Sequence, residues 1–442
     1  MFRTLNHAAI GSFALLLSTA HAADTVSFRR DIAPILQENC VACHGAKEAA
    51  GSYRLDTFAE LSQAGESGTA PLKQADGHTI ELLRRLTTAD ESERMPADSD
   101  PLTTAQIRLI SDWVASGAKF DGENPAELLP FVIPPPQHPL PPDTYPAAVP
   151  ITAIVFSPDG KQLLTGGYHE ILVWNPTAGK LQRRIQNIGQ RTYAMAFADD
   201  DTTLAVACGQ PGRAGEVRLV DFNSGDVKAV IARSTDVVLD LAFRPGGTEL
   251  AVAAADKSIQ IINIETLEVV RTLSSHADWV TAVAWSQDGN HLVSASRDKS
   301  AKVYDGTTGQ LLVSYQGHGA AVRGVNVLPG GTQVISTGTD NKLHRWSIDK
   351  AKKVAEVRLG GEGYKLVAGA GCVFVPTADR RLLKIDVAKN AVTQAFQGHA
   401  DWVLAAALTS DQTRIASGGY DGEVRVWDAS DASLIGSWTA KP

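Results

Sequence analysis

The sequence predicts a multidomain chain, a small all-α domain followed by an all-β seven-bladed propeller, on three observations. Residues 24–122 carry helical periodicity, ten of the 21 prolines fall within 123–150, and a unit of about four short strands recurs through 151–438. A length of 442 residues exceeds what one core needs, so more than one domain is expected. A charged fraction of 20% beside 44% hydrophobic residues places the chain among globular proteins rather than disordered ones. The net charge of −8 argues against a nucleic-acid or anionic-membrane partner.

The chain opens on signal-like residues. Arg3 precedes a mostly apolar stretch, Ala8–Ala20, and Ala20-His21-Ala22 puts small residues at the two positions a signal peptidase reads. At roughly thirteen residues the stretch falls short of the about 20 that a transmembrane helix needs. Residues 1–22 are therefore expected to be a signal peptide. The expected protein is exported, soluble and periplasmic, with no transmembrane segment.

Residues 23–122 form the expected helical domain. Asp31–Cys40 reads as a helix with Ile32, Ile35 and Leu36 on one face. Thr79–Leu86 reads as an amphipathic helix, and Thr103–Gln106 opens a closing helix that runs through Ile107–Gly117. The first helix ends in Cys40-Val41-Ala42-Cys43-His44. Haem c needs two thiols to add to the porphyrin vinyl groups and a His to bind iron from the same side, and this spacing supplies all three. One covalent haem c is expected, with Cys40 and Cys43 as thioether attachments and His44 as an axial iron ligand. A zinc site would need more Cys or a second His pair, and a thiol redox motif would want a βαβ context. Neither accompanies these residues. The other two cysteines, Cys208 and Cys372, sit in apolar strand-like runs and read as buried, inert thiols.

The distal ligand follows from a count. Of the three methionines, Met1 leaves with the signal and Met195 lies in a propeller strand, so Met95 is the thioether available to the helical domain. The alternative is His78, the other His between the signal and the linker.

Residues 123–150 include Pro134-Pro135-Pro136 and Pro141-Pro142 and predict an extended, semi-rigid linker. Within them Phe131–Ile133 is a candidate extra strand. In 151–442, apolar alternating runs end at Trp174, Val220, Ile262, Tyr304, Trp346, Ile385 and Trp427, which are 46, 42, 42, 42, 39 and 42 residues apart. The seventh unit reads as strands at Trp402–Leu408, Arg414–Ser417, Glu423–Trp427 and Ser433–Thr439. Its outer strand thus comes from the C-terminus, so the last blade is built from one continuous segment.

The period resembles that of WD-repeat propellers, and so do Trp427-Asp428, Gly317-His318 and Gly398-His399. The resemblance implies a hydrogen-bonded set of His, Ser/Thr, Asp and Trp within a blade. His399, Ser417, Asp421 and Trp427 match it in the seventh unit, and His318, Ser336, Asp340 and Trp346 in the fifth. His276, Ser294 and Asp298 match in the fourth, with Tyr304 replacing Trp. The second, third and sixth units have degraded signatures.

The helical zone resembles the cytochrome domain of many planctomycete proteins. The resemblance rests on Val26-Ser27-Phe28 and Asp31–Leu36 before the haem motif, Gly51–Asp56 after it, and then Arg94-Met95-Pro96 and Trp113. It implies that the Met of Met-Pro, here Met95, is an axial ligand.

With His44 and Met95 both on iron no position is open to substrate. The expected function is single-electron transfer through the haem, with the propeller as a docking platform for a redox partner protein: a carrier rather than a catalyst. The alternative is a redox enzyme with a second, non-covalent cofactor or a substrate site in the propeller channel. Its domain order is similar to that of periplasmic nitrite reductases, whose propellers have eight blades against the seven counted here. His169 stands where the first blade would have Asp, and reads as a turn residue.

Overall fold

The computed structural model describes residues 26–46, 48–73, 80–97 and 99–442. The chain divides into two compact units, Met1–Pro134 and Pro135–Pro442. The signal-like residues 1–22 and His78 lie outside the described residues. Among the described residues no helix is long and apolar enough to cross a membrane.

In the first unit the segment read as one helix, Asp31–Cys40, is two pieces. Phe28–Ile32 forms a π-turn that runs into α1 (Ala33–Asn39). The early start has a local cause: the Ser27 hydroxyl accepts the Arg30 N–H, and Asp31 returns a bond to the Ser27 N–H at 2.7 Å. Then come α2 (Phe58–Leu61), α3 (Glu81–Thr87), α4 (Thr104–Ala115) and α5 (Leu129–Val132). A reciprocal Thr103–Gln106 capping box starts α4, which buries Ile110 and Trp113; the Trp113 indole donates to Lys119 O at 3.0 Å. The core gathers Phe28, Ile32, Leu36, Leu61 and Leu129 around an aromatic cluster in which Phe28 meets Phe58 edge-on at 4.9 Å.

The candidate strand at Phe131–Ile133 is instead the end of α5. Leu129 and Val132 turn into the core together, a spacing of three that a helix satisfies and a strand does not. The Pro-rich stretch is also no bare spacer. Residues 136–145 lie on the propeller, where the backbone carbonyls of Pro136 and Pro142 accept bonds from the fully buried Arg218 and from Arg184.

The second unit is a ring of seven four-stranded antiparallel sheets, spanning 154–185, 191–234, 238–273, 280–315, 322–358, 367–397 and 403–439. The first strands of neighbouring blades pack on one another around most of the ring, and the fourth strands are the most exposed. Every blade carries a bulge between its third and fourth strands, at Trp174, Val220, Ile262, Tyr304, Trp346, Ile385 and Trp427. Those are the positions that mark the repeat in the sequence. A bulge sharpens local twist, which is what a blade needs to fit its neighbours. The seventh blade takes all four strands from 403–439 in sequence order, as the continuous reading predicts. The ring closes through side chains: Ile154, Phe156, Leu172 and Trp174 of blade 1 share a core with Ala405, Ala416 and Val426 of blade 7. The Ile151 N–H also donates to Gly419 O at 3.0 Å.

Candidate functional site

Cys40 caps the C-terminus of α1, its N–H bonded to Leu36 O at 2.9 Å. The next three residues make a tight turn, in which the His44 N–H returns to Cys40 O at 3.0 Å. The turn sets Cys40, Cys43 and His44 side by side at the end of the helix. Both cysteines are unpaired; Cys40 is half-buried and Cys43 exposed.

The His44 Nδ1 lies 3.3 Å from Tyr53 O. A carbonyl only accepts, so this nitrogen carries the proton and Nε2 keeps its lone pair. Such a second-shell bond fixes both tautomer and ring orientation of a metal-binding imidazole. Burial, reinforced by Cys43, pushes the Cys40 thiol up to about 12. A redox-active Cys-x-x-Cys pair needs the opposite shift.

Cys40 and His44 line a cavity of about 360 Å³, and so does Met95. Its walls are mostly apolar, from Tyr53, Leu55, Pro71, Leu82 and Leu86, with Glu81 and Arg85 at a polar edge. The cavity therefore brings three of the four sequence-predicted residues together, and Cys43 adjoins through the turn. Two thiols, a free imidazole nitrogen and a thioether around an apolar hollow fit the chemistry of a covalently bound haem.

Sequence reasoning missed the charged residues of this site. Glu81 accepts from Arg84 Nε at 2.8 Å, Arg84 Nη2 at 3.0 Å and Arg85 Nε at 2.8 Å. Arg84, and then Arg85, hold its carboxyl down to about 2. The i, i+3 and i, i+4 spacing on a helix was the available signal.

The propeller holds a larger cleft, about 740 Å³, lined by Trp285, Asn326, Arg345, Cys372 and Gln412 among others. Its one charged side chain, Arg345, donates to Val387 O at 2.8 Å, and no His or carboxylate faces in. Size alone gives it no chemistry, and the smaller cavity is the functional candidate. Inside the ring, Lys365 ahead of blade 6 pairs with the fully buried Asp240 on the inner strand of blade 3. Cys208 is buried and lies in blade 2, and Cys372, half-buried, lies in blade 6.

The blade histidines are hydrogen-bonded as the resemblance implies, with one departure. In blade 5 His318 binds Asp340 through Nδ1 at 2.9 Å and Ser336 through Nε2 at 2.8 Å, and Trp346 Nε1 donates to Ser336 Oγ at 3.2 Å. Blade 4 repeats the His276–Asp298 and His276–Ser294 bonds. In blade 7 His399 and Trp427 meet Ser417, but Asp421 accepts the Glu423 N–H and makes no bond to His399, whose Nδ1 has no hydrogen bond. His169 is a left-handed turn residue, φ 62°, whose Nδ1 donates to Ile188 O at 3.2 Å.

Two donor clusters resemble metal sites, and neither geometry suits an ion. In blade 5 the rings of His318 and His344 stack 4.0 Å apart, 17° from parallel. Lone pairs lie in the ring planes, so these two nitrogens cannot both aim at one ion about 2.0–2.1 Å away. In blade 7 the carboxylate of Glu423 that would join His399 and Asp421 is already held by Arg425 at 2.8 Å.

Comparison with known families matches each unit. Stretches 141–175, 267–305, 309–347 and 390–428 match the WD domain, G-beta repeat. The C-terminal unit is a WD-repeat propeller. The matched stretches hold the first three strands of blades 1, 4, 5 and 7; of the blades with degraded signatures, 3 and 6 are reached through their fourth strands alone and blade 2 lies wholly outside. Residues 40–99, from Cys40 past Met95, match the planctomycete cytochrome C family. The chain thus resembles a planctomycete-type cytochrome c segment fused to a WD propeller.

Among curated proteins it is similar to a WD repeat-containing protein WDS homolog of Arabidopsis thaliana, 31% identical over 120 residues, which are 26% of this chain and 23% of that protein. It is also similar to WD repeat and HMG-box DNA-binding protein 1 of Mus musculus, 34% identical over 82 residues, 19% of this chain and 7% of that protein. A THO complex subunit 6 homolog of Mus musculus is 31% identical over 92 residues, 21% and 25% of the two chains. The chain spans a quarter or less of the length of each of these three relatives. WD propellers are in general protein-interaction platforms.

Proposed function

We propose that the first unit binds one haem c through Cys40 and Cys43, with His44 and Met95 as axial ligands. On this reading the protein carries single electrons to or from a redox partner held by the WD propeller. The observation that carries it is the shared cavity of Cys40, His44 and Met95. A haem bound there supplies a one-electron ferric/ferrous couple. The chain's own residues do the rest. Tyr53 O holds the His44 proton so that Nε2 is free to ligate, Leu55, Leu82 and Leu86 exclude water, and the Met95 thioether favours the reduced state. Two units that divide between Pro134 and Pro135 accord with this reading. Residues 1–22 support export to an oxidising compartment such as the periplasm.

The test is an optical spectrum of the protein made with haem-maturation machinery, beside Met95→Ala. The expected result is one low-spin haem per chain that ignores carbon monoxide until Met95 is removed. Carbon monoxide binding to the unmutated ferrous protein, or a second chromophore, would replace this reading with that of an enzyme.

A further inference from the structure

Met95 stands at the end of a loop, 88–94, whose tip residues 89–92 are exposed and bring no apolar anchor to the core. The loop's internal bonds form a local turn: Glu93 and Arg94 N–H groups both reach Asp90 O, at 3.1 and 2.9 Å. Those bonds shape the turn without saying where it sits. Among the described residues its hydrogen bonds and ion pairs to the rest of the unit run to α3. The Met95 N–H donates to Arg85 O at 2.9 Å, Arg84 Nη1 binds Glu93 Oε2 at 2.5 Å, and Arg85 Nη1 reaches Glu93 O at 3.5 Å. Arg84 is itself immobilised, because its Nε and Nη2 grip the buried carboxylate of Glu81 one turn back, at 2.8 and 3.0 Å.

We propose that this lattice, Glu81–Arg84–Glu93, positions Met95: it pins the loop to α3 and holds the thioether in the cavity that His44 also lines. The inference rests on the haem reading above and names the residues that keep its distal ligand in place. The physical need is plain. A thioether is a neutral ligand on an exposed loop, and without an anchor the chain entropy of the loop favours release. A planar guanidinium that is forked onto a buried carboxylate spends little further entropy in binding Glu93, so one side chain ties loop to helix. Arg84 and Glu93 do not line the cavity; they act through Met95 and are positioning residues.

The experiment compares the wild-type haem protein with Arg84→Gln and Glu93→Gln. Three readings are taken on each: haem per chain by mass, the thioether-to-iron charge-transfer band of the ferric protein, and carbon monoxide binding to the ferrous protein. Arg84→Gln is expected to keep one covalent haem, lose most of the band, and raise the carbon monoxide-bound fraction at least tenfold. Glu93→Gln cuts the loop end alone while the Glu81–Arg84 pair stands, and is expected to show the same change several-fold smaller. If Arg84→Gln does not fold, Glu93→Gln decides. Variants that keep the wild-type band and exclude carbon monoxide would overturn the positioning role while leaving Met95 as ligand. A wild type without the band would remove Met95 as ligand, and both readings with it.

Discussion

At the scale of single residues, the hydrogen-bonded chain of blade 5 is fully directional. Asp340 accepts from His318 Nδ1, so Nε2 must accept from the Ser336 hydroxyl, whose oxygen in turn takes the Trp346 N–H. Every polar group of the chain finds a partner, and His318, Ser336 and Trp346 are buried. Ser336→Ala should leave the indole N–H and the imidazole nitrogen without partners, at a cost of about 1–3 kcal/mol. Denaturant unfolding measures it, and a midpoint equal to wild type would show that the blade does not depend on this bond. The same care about roles applies to the cavity of the first unit. The identities of Cys40, Cys43, His44 and Met95 were legible because their chemistry is unusual and local. Glu81 and Arg84 were not, because charged pairs three residues apart on a helix are common and mostly sit in water.

At the scale of elements, the blades share a pH-sensitive feature. Burial holds His344 and His399 down to about 4, and burial lowers His276 and His318 as well. Unfolded, each titrates near 6.5. Between these values the unfolded chain binds more protons, so propeller stability is full above about 6.5 and falls as pH drops toward 4. Each shift for His344 and His399 amounts to roughly 3 kcal/mol at most. Urea unfolding should therefore have a lower midpoint at pH 5 than at pH 7, and His344→Gln should narrow the gap. Identical midpoints for the wild type would mean that these rings are not buried neutral. The element scale also explains the degraded repeats. Blades 2, 3 and 6 lack the His–Ser–Asp–Trp signature but keep alternation and the bulge before the fourth strand, and those suffice to build a blade.

At the scale of the whole molecule, ring closure is a matter of packing rather than strand exchange, and the Pro-rich segment takes part. Tyr145 belongs to the core shared by blades 1 and 7; its hydroxyl donates to Glu170 and accepts the Tyr168 N–H at 2.9 Å. Tyr145→Phe should lower the propeller's melting temperature, by a loss of about 1–3 kcal/mol for the orphaned Tyr168 N–H, while Glu170 keeps its bonds to Arg184. Leu140→Ala, at a side chain 80% exposed in the same segment, should leave it unchanged. Calorimetry of both variants separates a structural strap from a passive connector, and equal melting temperatures would favour the connector.

The sequence by itself determined the class of each unit, the seven-fold count, the continuous last blade and, of the residues around the cavity, Cys40, His44 and Met95. These depend on period, on turn chemistry and on a five-residue motif, all of which act over short stretches of chain. Only the tertiary structure decided where the prolines of 134–142 go, since their carbonyls are enlisted by Arg184 and Arg218 from far along the chain. It also decided that Leu129–Val132 coils rather than extends, because the core it fills is built from residues tens of positions away. The missing His399–Asp421 bond was not legible either: the residues match the repeat, and the local Glu423 N–H bond to Asp421 has a counterpart in blade 4, where Asp298 takes the Ser300 N–H and still binds His276. Local signals name the participants; which partner a polar group meets is settled by competition that exists once the chain is folded.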